Sequence, residues 1–90
     1  FMLEDLAEDR KVYCKIYSED EGRFLGDPDL FSDEHLTEYE FLNDTYCEYR
    51  YYPIHLGVLT KNGVYTSYFY NSRGEIFHTG SFFFTRFNED

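Results

Sequence analysis

The chain lacks any apolar run long enough to cross a membrane. Its apolar runs, such as Phe82-Phe83-Phe84, fall far short of the ~20 residues a spanning helix needs. It also lacks a basic stretch at its start. The N-terminus reads Phe-Met-Leu-Glu-Asp, acidic where a secretory leader is positively charged, so a cytoplasmic location is expected. Cysteine is scarce: Cys14 and Cys47 stand 33 positions apart, with no C-x-x-C. Metal ligands usually come as close pairs. Each Cys lies in a β-like run, which reads as a buried free thiol behaving as a small apolar group. A disulfide between neighbouring strands is the alternative. His35, His55 and His78 stand alone, without H-x-H or H-E-x-x-H. There is no G-x-S-x-G and no Gly-rich phosphate loop. No metal, no cofactor and no catalytic residue is therefore expected. Glu48 and Glu75 fall in predicted strands, where they could face each other. Paired carboxylates are glycosidase chemistry, but the chain is small for a sugar cleft, and solvent-facing strand acids are commoner.

Bases are few where acids are many. The chain carries 18 Asp+Glu against 8 Lys+Arg, a net charge of −10. Residues 1–48 hold 15 of the acids and 4 bases, whereas residues 49–90 hold 3 acids and 4 bases. An acidic surface repels nucleic acid and anionic membrane and attracts basic protein grooves at long range. Direct nucleic-acid binding and membrane binding are thus excluded as expectations, and a basic protein is the expected partner.

What the chain has in quantity is aromatic rings. Ten Phe and ten Tyr lie among 90 residues, and each buried ring removes on the order of 150–250 Å² from water. Such a chain is expected to fold, because disordered chains are poor in aromatics. Its length fits one domain, residues 1–90. Tyr46, Tyr49, Tyr51, Tyr52, Tyr65, Tyr68 and Tyr70 are too many for one small core. Some are expected on the surface, where Tyr favours protein interfaces. A homodimer through this Tyr-rich sheet is one expectation.

The pattern along the chain predicts an α+β fold. Residues 2–9 offer two helical turns. Lys11 to Tyr17 alternates Val12, Cys14 and Ile16 with Tyr13, Lys15 and Tyr17, the period of a strand. Asp27-Pro28 is a helix start, since Asp caps and Pro fits the first position, and Ser32 is a second cap. The helix is expected over 28–42 or 33–42, with Leu36, Tyr39 and Leu42 on one face. Strands follow over 45–52, 55–60, 64–70 and 75–87. An Asn-Gly hairpin is expected at Asn62-Gly63 and a bulge near Thr79-Gly80-Ser81. The result is an antiparallel sheet of about five strands, a C-terminal β-meander, with one or two short acidic helices packed against it.

On such a helix Asp29, Asp33, Glu34, Glu38 and Glu40 would form a ladder with charges roughly one turn, or ~5–6 Å, apart. Glu19, Asp20 and Glu21 form a second patch. Spaced carboxylates can occupy a groove made for phosphates, which duplex DNA presents at one charge per ~1.7 Å of axis. These eight residues are the expected partner-binding set. The profile (short, acidic, aromatic-rich) is similar to that of phage-encoded inhibitors of nucleic-acid machinery, anti-restriction and anti-CRISPR proteins among them. It is also similar to immunity proteins that neutralise nuclease toxins. The likeness lies in composition and carries over no residue roles. The expected function is inhibition of a basic nucleic-acid-binding protein, with an immunity protein or antitoxin, or an accessory subunit, as alternatives.

Overall fold

The computed structural model describes residues 1–51 and 61–85. Its strands are β1 (Val12–Ser18), β2 (Arg23–Phe24), β3 (Leu36–Phe41), β4 (Cys47–Tyr51), β5 (Gly63–Tyr70) and β6 (Ile76–Phe84). β1 is the strand on which the others hang. Only Lys15 and Tyr17 in it are even half-exposed. One side of β1 pairs antiparallel with β5, from Tyr13↔Tyr70 to Ser18↔Tyr65, and β5 pairs with β6 from Gly63↔Phe84 to Tyr70↔Ile76. The other side is shared. β2 takes Tyr17 and Ser18, and β3 takes Val12 and Tyr13. β4 then adds to β3, giving the order β4-β3-β1-β5-β6. The sheet curls into a half-barrel.

Alternation along each strand sorts the residues onto two faces. Val12, Cys14 and Ile16 of β1 share the inner face with Tyr65 and Phe69 of β5. Leu6 and Leu25 close over them, with Phe1, Leu3, Tyr39, Phe77, Phe82 and Phe84 at the margin. Burying a ring such as Phe69 stabilises the fold by about 1.5–3 kcal/mol. Curling lets one sheet cover its own apolar face, so no helix layer is required.

That geometry corrects the α+β expectation. No α-helix occurs among the described residues, only 3₁₀ turns at Leu3–Asp5 and Asp33–His35. Residues 2–9 do not wind up. Leu3 N donates to the Thr45 carbonyl at 2.8 Å, and Leu6 drops into the core. Two turns are too few to be stable alone, and these bonds to the chain ahead of β4 win. The acidic helix over 28–42 fails for two reasons. Asp27 Oδ1 accepts from Asp29 N, Asp29 Oδ1 from Phe31 N, and Ser32 Oγ from Glu34 N. Three consecutive side-chain turns compete with helical bonds. Beyond them Thr37, Tyr39 and Phe41 alternate with Leu36, Glu38 and Glu40, and this period-2 pattern is extended by β-sheet partners on both sides.

The C-terminal meander is corrected as well. β4 turns back onto β3, and both β3 and β1 separate it from β5. The bulge lies elsewhere too. Thr79, Gly80 and Ser81 pair in regular register, and the shift falls between Phe69 and Tyr70, leaving Phe77 as the extra residue. The strand predicted over 55–60 lies outside the described residues, and of the Asn62-Gly63 turn expected after it, Gly63 is the first residue of β5, opposite Phe84. Among the described residues no helix is long and apolar enough to cross a membrane.

Candidate functional site

The outer face of the sheet carries what the core does not use. On β1 it presents Tyr13, Lys15 and Tyr17, and on β5 Thr66, Tyr68 and Tyr70. Rings gather here from two further segments. Phe24 of β2 meets Tyr17 edge-on at 5.0 Å and Tyr68 at 5.8 Å, and Tyr17 meets Tyr68 at 6.4 Å. Phe31, from the connection between β2 and β3, meets Tyr13 edge-on at 5.2 Å. Edge-to-face pairs are favoured by the ring quadrupole. Lys15 fixes the connection in place. Its Nζ lies 4.8 Å from the Phe24 centroid and donates to the Pro28 carbonyl at 3.3 Å. Phe24, Phe31 and the neighbouring Leu36 remain exposed.

An acidic strip borders these rings. Leu36, Glu38 and Glu40 alternate onto the outer face of β3, with Leu36 paired to Tyr13. Glu40 is paired directly with Glu48 of β4. All three acids are exposed. Carboxylates two residues apart on a strand are separated by ~7 Å, and adjacent strands by ~5 Å. Like charges directly opposite on neighbouring strands are destabilising. Glu38, Glu40 and Glu48 therefore form a negative edge beside Leu36 and Phe31, a patch suited to a cationic, partly apolar surface.

The eight acids predicted as one binding set separate into three groups. Glu38 and Glu40 lie on the outer face as described. Asp29, Asp33 and Glu34 lie in the connection before β3, where Glu34 Oε2 accepts from Asp27 N at 2.8 Å and Asp29 caps the chain locally. Burial there is greatest at His35, whose Nε2 meets the Asp27 carbonyl at 2.8 Å. Hydrogen bonds from Asp29 N and Ser32 Oγ hold Asp27 below the usual carboxylate range. Glu19, Asp20 and Glu21 form the turn after β1 and, though exposed, are bonded to the chain at the start of β5 and just before it. Glu19 accepts from Thr66 Oγ1 at 2.7 Å and Asp20 from Val64 N at 3.1 Å, while Glu21 pairs with Lys61 at 3.0 Å. A Cβ at Gly63 would displace the Asp20 carboxylate from this position. The helical ladder does not exist, and the second patch is mainly a clasp on β5.

The remaining candidates have structural roles. Cys14 and Cys47 are both buried free thiols. Burial pushes the Cys14 thiol up to about 12 and raises Cys47, and a thiol that stays protonated is a poor nucleophile. Glu75 does not face Glu48. It sits at the β5–β6 turn, held below its ordinary range first by Arg73 and then by Asn71. Among the described residues no three His, Cys, Asp or Glu side chains gather as metal ligands. Sequence reasoning missed Glu48 as the partner of Glu40, and Leu36, Phe31 and Phe24 as exposed apolar neighbours. The alternation of Leu36–Phe41 was the signal for the first of these. No family model, no curated protein and no solved structure matches this chain.

Proposed function

We propose that this protein is a binding module rather than an enzyme. It docks on a basic, nucleic-acid-binding protein and blocks the surface that protein uses for phosphates. The observation that carries the reading is the outward triad Glu38, Glu40 and Glu48, with Glu40 and Glu48 paired directly across two strands. Three exposed carboxylates on one face concentrate negative potential there, which draws a basic surface at long range. The exposed acids Glu19, Asp20 and Glu21 are engaged differently, by Thr66, Val64 and Lys61 at the start of β5 and just before it. Leu36, Phe31 and Phe24 supply the apolar contacts, because exposed rings beside a charged rim are what interfaces bury.

The test is retention of a cellular partner on the immobilised protein, followed by elution with salt or with duplex DNA. Retention is expected to fall steeply with salt, since exposed charges are screened beyond ~10 Å at 0.1 M and ~3 Å at 1 M. Duplex DNA is expected to release the same protein. The triple reversal Glu38→Lys, Glu40→Lys, Glu48→Lys is expected to weaken binding at least ~10-fold while leaving the circular dichroism spectrum unchanged. Retention indifferent to salt and to DNA would sink the reading.

A further inference from the structure

A second surface lies at the opposite edge of the sheet. β6 runs for nine residues, Ile76–Phe84, and among the described residues it is paired on one side only, to β5. Exposed edge strands are normally blunted by shortness, charge or proline. β4, at the other end of the strand order, has those marks: it is five residues long and contains Glu48 and Arg50. β6 has none of them, and neither β5 nor β6 contains Asp, Glu, Lys or Arg. On the outer face of this hairpin Ile76 is 52% exposed, Phe83 66% and its cross-strand neighbour Val64 40%. Thr79, Gly80 and Ser81 between them are exposed too, and a Cβ at Gly80 would meet nothing within 4 Å. The middle of the strand is thus small and open.

We infer that the β6 edge is a self-association surface, on which two copies of this chain pair β6 to β6, antiparallel, about a two-fold axis. Charge selects a second copy as the occupant. The chain carries −10 overall, with the acids concentrated in residues 1–48. Two copies meeting on that half would set carboxylates against carboxylates. Along β5 and β6, whose strands contain no Asp, Glu, Lys or Arg, two such copies meet without opposed charges, and the pairing leaves Glu38, Glu40 and Glu48 at the other end of each strand order. Antiparallel pairing of identical strands is also self-complementary and closed, so it stops at a dimer. With the axis at Gly80, Thr79 of each copy stands opposite Ser81 of the other.

Sedimentation of the wild-type chain at micromolar to submillimolar concentrations tests this directly. A dimer is expected, and it should strengthen with salt, because screening relieves repulsion between two acidic copies. Binding to a basic partner responds to salt with the opposite sign, so the two proposals fail separately. Thr79→Lys with Ser81→Lys brings like charges face to face and should weaken the dimer at least ~10-fold. Mixing that variant with Thr79→Glu, Ser81→Glu should restore association as a heterodimer. A wild-type chain that stays monomeric overturns the inference, as does a dimer untouched by the lysines or a mixture that fails to associate. Should the variants not fold, amide exchange of wild-type β6 decides: protection independent of concentration overturns it.

Discussion

Two hairpins flank β1, and they are built on different terms. The β5–β6 hairpin is paired along nearly the whole of β1, from Tyr13↔Tyr70 to Ser18↔Tyr65. It supplies Tyr65 and Phe69 to the core, and its strands contain no Asp, Glu, Lys or Arg. The β3–β4 hairpin touches β1 only at Val12↔Thr37 and Tyr13↔Leu36. Its buried residues are the small Thr37 and Cys47, its one ring packed on the core cluster is the half-buried Tyr39, and it carries the outward acids. The difference teaches that the fold rests on the neutral hairpin and the surface chemistry on the acidic one.

Core truncation separates the two most strongly. Phe69 is 4% exposed and packs on Cys14 and His78 across both neighbouring strands. Phe69→Ala is expected to cost about 3–5 kcal/mol, a large part of the ~5–15 kcal/mol that holds a domain folded. Tyr39 meets Phe1 edge-on at 5.4 Å and donates to the Arg10 carbonyl at 2.6 Å. Tyr39→Ala is expected to cost about half as much, roughly 1.5–2.5 kcal/mol. Urea denaturation measures both, and equal losses would erase the contrast.

Legibility in the sequence divides along the same line. β1, β5 and β6 are read from Val12-Cys14-Ile16, from Val64 to Tyr70 and from the run ending at Phe84, because their alternation and their burial agree. β3 is misread, because Leu36, Tyr39 and Leu42 satisfy a helical period while Thr37, Tyr39 and Phe41 satisfy a strand period. Only the neighbours β1 and β4 decide between them, and they are distant in sequence. The Asp27-Pro28 signal is real chemistry at the wrong scale: Asp27 and Ser32 do cap, but each caps a single turn. The binding set is half legible for the same reason. Glu38 and Glu40 are exposed, but on a strand and not on the expected helix, whereas the fate of Glu19, Asp20 and Glu21 depends on Thr66, Val64 and Lys61, some 40 to 47 positions away.

Each hairpin has an asparagine at its turn, and the pair sharpens the comparison at intermediate energy. Asn71, 2% exposed, donates to the Asp5 carbonyl at 2.9 Å and to Glu75, and accepts from Arg73 N and Glu75 N. Asn43 accepts from Thr45 N, Thr45 Oγ1 and Tyr46 N, but in an exposed turn. Water can replace the bonds of Asn43 and cannot reach those of Asn71. Asn71→Ala is expected to cost about 2–3 kcal/mol and Asn43→Ala under about 1 kcal/mol. Thermal unfolding of the two variants side by side gives the answer, and a costlier Asn43→Ala would reverse the assignment of roles.

Acid is expected to act on the neutral hairpin, although its strands contain no carboxylate. Its ends are tethered by three acids from outside its strands. Asp9 accepts from Ser72 Oγ at 2.6 Å, Glu75 from Arg73 Nε at 2.6 Å, and Glu21 from Lys61 Nζ at 3.0 Å. In each case this partner is the largest cause holding the carboxylate below its ordinary range. A carboxylate depressed on folding stabilises above its unfolded pKa, near 4, and that contribution disappears as pH falls through the folded value. All three groups are at the surface, so each contribution is small and salt-sensitive. The amide signals of Lys61, Ser72 and Arg73 are therefore expected to hold steady from about pH 6 down to about pH 4 and to shift together below it. Inflections well above pH 4 would mean that the tethers are not carboxylates held low by these partners, and the neutral hairpin would then owe its firm attachment to β1 and the core alone.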